Sequence, residues 1–162
     1  MALPKINTIL YATSLGEHTR PVFRHAVNMA DTFNAKIIMV HAVEPLGELG
    51  HALIQNYLPE ELIEKMHDQG INEVKKQMEE RVALFCEEEL QSLDHQVELD
   101  VQHVVEEGNH TDAIMHATRT YNADMIVLGS ENRFGFHSHT TQQVVKESKV
   151  PVLVVPTGKE FD

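Results

Sequence analysis

The chain has 162 residues, 42% hydrophobic and 23% charged, with a formal net charge of −12. This is enough chain for one domain with a sizeable core, and too apolar for a disordered segment. The acidic surface repels nucleic acid and anionic lipid, so neither is an expected partner. No apolar run reaches the length that spans a bilayer, and the opening Met-Ala-Leu-Pro-Lys-Ile lacks a secretory layout. A single cysteine, Cys86, excludes an internal disulfide framework and fits a reducing compartment. The expectation is a cytoplasmic protein with one domain over residues 1–162.

Ile6 to Ala12 reads as a first buried strand, broken by Thr13-Ser-Leu-Gly16. A helix follows from Glu17 to about Phe33, with Val22, Phe23, Ala26, Val27 and Ala30 on one face at helical spacing. Residues 35–42 are a continuous apolar run, as a sheet covered on both faces requires. Glu44 to Leu58 lacks a sustained period and reads as a loop with a helical turn. Pro59, Glu60 and Glu61 then open a long helix to Leu90, since proline suits the first turn and carboxylates suit the positive dipole end. Its stripe is Leu62, Ile63, Met66, Ile71, Val74, Met78, Val82, Phe85 and Cys86, continuing through Gly70.

Val97 to Val105 alternates and predicts a third, less buried strand, followed by a turn at Glu106-Glu-Gly-Asn109. Thr111 to Tyr121 predicts a helix capped by Asn109 or His110. A fourth strand (Ala123–Leu128), a polar loop, a short helix (Thr140–Glu147) and a fifth strand (Pro151–Val155) complete the pattern. Alternation of strand and helix predicts an α/β fold, a parallel sheet with helices on both faces, Rossmann-like or flavodoxin-like. In such sheets ligands sit beyond the carboxyl ends of the strands, which directs attention to the loop from Gly129 to His139.

The runs Ile9-Leu-Tyr-Ala-Thr-Ser-Leu-Gly-Glu-His-Thr19, Arg24-His-Ala-Val-Asn-Met-Ala30, Val40-His-Ala42, Val105-Glu-Glu-Gly108, Ala123 to Ser130 and Val150-Pro-Val-Leu-Val-Val155 resemble, in this order, the universal stress protein family. The resemblance covers essentially the whole chain. It implies a five-stranded parallel sheet in the order 3-2-1-4-5 and a homodimer, in many cases joined through the last strand. It also implies a candidate nucleotide crevice. ATP-binding members resemble one another in an Asp after the first strand and a loop Gly-x2-Gly-x9-Gly-Ser/Thr after the fourth. The Asp accepts hydrogen bonds from nucleotide hydroxyl or amine groups; the glycines let backbone approach phosphate, at the positive end of the next helix.

Carried onto this chain, the crevice comprises Ala12, Thr13, Ser14, Ala42, Gly108, Gly129, Ser130, Asn132, Arg133, Ser138, His139 and Thr140. The pattern is degenerate. Ser14 stands where the Asp would be, Asn132 where the second loop glycine would be, and Ser138-His139 where the Gly-Ser pair would be. The loop is also several residues shorter. Gly135 keeps some flexibility, Arg133 can meet a phosphate, and Ser138, Thr140 and Thr141 are anion-contacting hydroxyls beside a helix start. No cofactor is the first expectation, with ATP, AMP or another small anion as the alternative.

The histidines are read structurally. His137 and His139, two apart on extended backbone, point to opposite sides, which argues against shared metal coordination. His41 ends a buried strand and is expected to bond to nearby backbone. His18 and His25 share a helix face, and His110 and His116 flank a helix at the crevice edge. No Ser, Cys or carboxylate is spaced to form a nucleophile–base pair, so no catalytic residue and no metal ligand is assigned. Cys86 in the apolar stripe is an inert small hydrophobe. Pro151 to Val155, apolar and terminal, invites aggregation if exposed, and antiparallel pairing with a second copy covers it. The expected function is a stress-response homodimer acting through contacts with an unidentified protein partner rather than through catalysis. The alternatives are an adenine-nucleotide switch and a carrier or metal-binding protein using the histidine-rich loop.

Overall fold

A computed structural model describes residues 2–13, 20–43, 53, 55–88, 97–130 and 139–157. Five strands, β1 (Thr8–Ala12), β2 (Lys36–Val43), β3 (Val101–Glu107), β4 (Met125–Gly129) and β5 (Val152–Val155), form one sheet. Its order is β3-β2-β1-β4-β5 and every pairing is parallel. The longer helices among the described residues are α1 (Arg20–Phe33), α2 (Glu60–Glu88), α3 (His110–Thr120) and α4 (His139–Glu147). The α/β expectation and the strand order both hold.

Period-two alternation on doubly covered strands sorts the core into two layers. Ile9, Tyr11, Ile37, Met39 and Val127 pack with Val22, Phe23, Ala26, Val27 and Ala30 of α1 and with Met78 and Phe85 of α2. Leu10, Ile38, Val40, Ile126 and Leu128 pack on the opposite face with Ile114 and Ala117 of α3 and Val144 of α4. Tyr11 stacks on Phe23 at 5.3 Å between ring centroids, and Phe85 meets Phe23 edge-on at 4.6 Å. This aromatic run pins the C-terminal part of α2 to the carboxyl-end half of β1. Beneath the opposite edge, Asp124 Oδ2 accepts hydrogen bonds from the amides of Asn7 and Thr8, fixing where β1 begins.

Several boundaries differ from the sequence reading. The first strand begins at Thr8, two residues later than expected, because Asn7 and Thr8 are held by Asp124. The third strand is Val101–Glu107, not 97–105, so Glu106 and Glu107 are strand rather than turn. They pair with Ala42 and Val43 and are tolerated because β3 is an edge strand whose carboxylates reach His116 and His67. The apolar stripe of α2 does not bury along its length. Met78 and Phe85 are buried, whereas Leu62 and Met66 are 40% and 52% exposed. At about 1.5 Å per residue this 29-residue helix is roughly 43 Å long, well beyond the reach of strands of at most eight residues. Gly70 does not interrupt it.

Candidate functional site: the carboxyl edge of the sheet

The sheet order reverses between β1 and β4, so the topological switch point lies where those two strands end. Tyr11 pairs with Val127, and continuing that register places Thr13 level with Gly129. On the other side of β1, the amide of Thr13 donates to the carbonyl of Val40 at 2.9 Å, extending the ladder one step past the strand. The structure therefore gathers Ala12, Thr13, Ala42, Gly108, Gly129 and Ser130 along one edge. His139 and Thr140 open α4. Ser14, Asn132, Arg133 and Ser138, with Gly135, His18 and His137, lie outside the described residues.

Each junction at this edge is held by its own local chemistry. Thr13 is buried, and its carbonyl accepts a hydrogen bond from His41 Nδ1 at 3.0 Å. A carbonyl only accepts, so Nδ1 carries the hydrogen and the tautomer is set. His41 is thus the backbone-bonded rim histidine the sequence suggests. Gly108 has φ +134°, a conformation that strains a side-chain-bearing residue, and its amide donates to the Val43 carbonyl at 2.9 Å. The chain then turns into α3, where Asn109 Oδ1 accepts from the amides of Thr111 and Asp112. Asn109, not His110, is the cap.

The β4 corner is more tightly filled than the sequence implies. A Cβ built on Gly129 would lie 2.8 Å from Thr157 Cγ2 and 3.1 Å from Val22 Cγ2. Glycine is therefore required here by packing inside the protein. The Gly129 carbonyl accepts the hydroxyl of Thr141 at 2.7 Å. That corrects the expectation for Thr141, whose hydroxyl hydrogen closes the corner instead of facing an anion. The Ser130 amide donates to the Val155 carbonyl at 2.9 Å, and Ser130 Oγ accepts the Thr157 amide at 3.2 Å. Thr157 and Val22 carried no motif signal; only the apolar run leading into Pro156-Thr157 hinted that β5 ends beside this corner.

Charge at the edge comes from groups the motif did not contain. Burial pushes the Tyr11 phenol above its usual range, against the opposing pull of Thr13 and of Arg81. Arg81 thereby brings a guanidinium from α2 close to the end of β1. On the β3 side, His67 Nε2 contacts Glu107 Oε1, and His116 Nδ1 lies 3.3 Å from Glu106 Oε2. These glutamates project to opposite faces of the sheet, one towards α2 and one towards α3. Thr111 Oγ1 donates to Gln143 Oε1 at 2.6 Å, tying the start of α3 to α4. Among the described residues, no three His, Cys, Asp or Glu side chains form a group able to hold a metal ion. Among those same residues, no helix is long and apolar enough to cross a membrane. Cys86 is half-buried, and burial pushes its thiol pKa up, the opposite of a reactive thiolate.

The geometry is that of a known family. A family model described as the universal stress protein family matches residues 5–156. Universal stress protein UspA from Lactobacillus plantarum superposes with a TM-score of 0.67 at 17% identity, over 94% of this chain and 99% of that one. A universal stress protein solved in complex with cAMP gives 0.62 at 19% identity, over 95% and 99%. The universal stress protein from Archaeoglobus fulgidus in complex with dAMP gives 0.57 at 16% identity, over 94% and 99%. A search of curated protein sequences finds no match.

Proposed function

The chain belongs to the universal stress protein family, and from that premise we propose that it works as a stress-response homodimer through protein contacts, with a carboxyl-edge crevice that holds adenine nucleotide weakly or not at all and performs no catalysis. The observation that carries this reading is the state of the Gly129–Ser130 corner. Its carbonyl, its serine amide and its serine hydroxyl bond to Thr141, Val155 and Thr157, and the space beside Gly129 is filled by Thr157 and Val22. The Ser130 amide and the Thr141 hydroxyl, two donors that could meet a phosphate, are thereby spent inside the protein. The sequence departures at Ser14 and Asn132 act in the same direction.

The homodimer is supported by the contrast between the two sheet edges. The β3 edge ends in two glutamates, which discourage strand pairing. The β5 edge is Val152-Leu-Val-Val155, with Val154 36% exposed and Val145 of the adjoining α4 53% exposed. Antiparallel pairing of Pro151–Val155 with its copy covers that edge. A second reading, a nucleotide-responsive switch, is favoured by the relatives solved with cAMP and dAMP. Mass analysis of small molecules released from protein purified without nucleotide, with calorimetric titration of ATP and AMP, separates the two. An empty crevice supports protein contacts, and stoichiometric adenine nucleotide supports the switch.

A further inference from the structure

We propose that Thr157, beyond the last strand, is the residue that decides whether the crevice accepts a phosphate monoester. It is buried at 5% exposure, and its Cγ2 lies 2.8 Å from where a side chain on Gly129 would start. Its amide donates to Ser130 Oγ, so backbone and side chain grip two successive residues of the same corner. This inference rests on the reading of the carboxyl edge as the ligand crevice, and it adds to the departures in the motif one position beyond β5 that limits access of phosphate.

The effect is steric. Glycine at a strand end beside a helix start lets an anion approach the backbone, provided the space left by the missing side chain is open. At Gly129 that space is taken by Thr157 Cγ2 from the β5 side and Val22 Cγ2 from α1. Val22 belongs to the packed core and cannot withdraw without opening it. Thr157 follows β5 and belongs to no helix or strand, so it is the partner whose side chain can be removed at least cost. The Thr157 amide also donates to Ser130 Oγ, so the Thr157 backbone stays anchored at this corner when its side chain is changed.

The test compares Thr157→Gly, which removes the side chain and keeps the backbone amide that bonds to Ser130, with Thr157→Val, which keeps the bulk. AMP and inorganic phosphate are titrated calorimetrically into each folded variant. A double-mutant cycle with Gly129→Ala, read by thermal unfolding, measures the packing separately. The expected result is AMP affinity at least tenfold tighter in Thr157→Gly than in the parent or Thr157→Val. Gly129→Ala should lower the midpoint strongly in the parent and at most half as far beside Thr157→Gly. Equal, measurable AMP affinity in parent and Thr157→Gly overturns the proposal while leaving the crevice as a ligand site. No binding to any variant, with the packing coupling present, overturns both the proposal and the crevice reading. Absence of the coupling overturns the steric argument whatever the titrations give.

Discussion

The imidazole Nδ1 of His41 lies 3.0 Å from the carbonyl oxygen of Thr13, joining the crevice ends of β2 and β1 by a side chain where the ladder runs out. One step inward, the Thr13 amide still bonds to Val40. His41 therefore fixes the direction in which the chain leaves β1. Replacing it with Ala removes one hydrogen bond to a partly buried carbonyl, a cost of about 1 kcal/mol. Urea denaturation at neutral pH checks this, and an unchanged midpoint contradicts it.

At the opposite edge, Asp124→Ala is expected to cost more. Its Oδ2 serves two amides, those of Asn7 and Thr8. Hydrogen bonds to a charged acceptor contribute roughly 1.5–3 kcal/mol, so a loss of about 2–3 kcal/mol is expected. Asp124→Asn keeps an acceptor oxygen and should lose about half as much. Amide exchange at Asn7 and Thr8 localises the effect: both should lose protection in Asp124→Ala before the rest of β1 does.

Tyr11 gives the chain a pH dependence at the alkaline end. Burial holds its phenol above the ordinary value of about 10 in the folded state. The unfolded chain ionises first as pH rises, so it binds fewer protons than the native state there, and stability falls with increasing pH. The contribution is fully present below about pH 10 and is lost as pH rises through the folded value. Tyr11→Phe keeps the stack on Phe23 and removes the ionisation. Between pH 8 and 11 its thermal midpoint should fall less steeply than that of the parent; parallel slopes contradict the assignment.

The apolar edge of β5 predicts the outcome of Val154→Lys. A lysine on an edge strand blocks pairing with another copy. Sedimentation should show the parent as a dimer and the variant as a folded monomer with unchanged far-ultraviolet circular dichroism. A dimer of unchanged affinity in the variant places the contact elsewhere.

The sheet could be read from the sequence because its strands announce themselves. Ile37 to Val40 and Ile126 to Leu128 are buried on both faces and leave no room for polar residues. The edge strand was harder. Glu106 and Glu107 look like a turn because the partners that make them acceptable, His116 and His67, come from two helices distant in sequence. The stripe of α2 failed at Leu62 and Met66 for a related reason. Periodicity shows which residues share a face, but not whether a 29-residue helix outreaches the sheet it covers. At the site, family motifs named Thr13, Ala42, Gly108, Gly129 and Ser130, which lie along one edge of the sheet. They could not show that Thr141 and Thr157 bond into the β4 corner, because those contacts exist only once β4, β5 and α4 are side by side.

The central claim is that this crevice does not hold adenine nucleotide usefully, and calorimetric titration of ATP and AMP into protein purified without nucleotide tests it most directly. The account predicts no stoichiometric nucleotide in the purified protein and either no heat of binding or affinity weaker than about 100 μM, a binding free energy smaller than about 5.5 kcal/mol. Micromolar binding, or one equivalent of adenine nucleotide released on denaturation, would contradict it and make the nucleotide switch the working description.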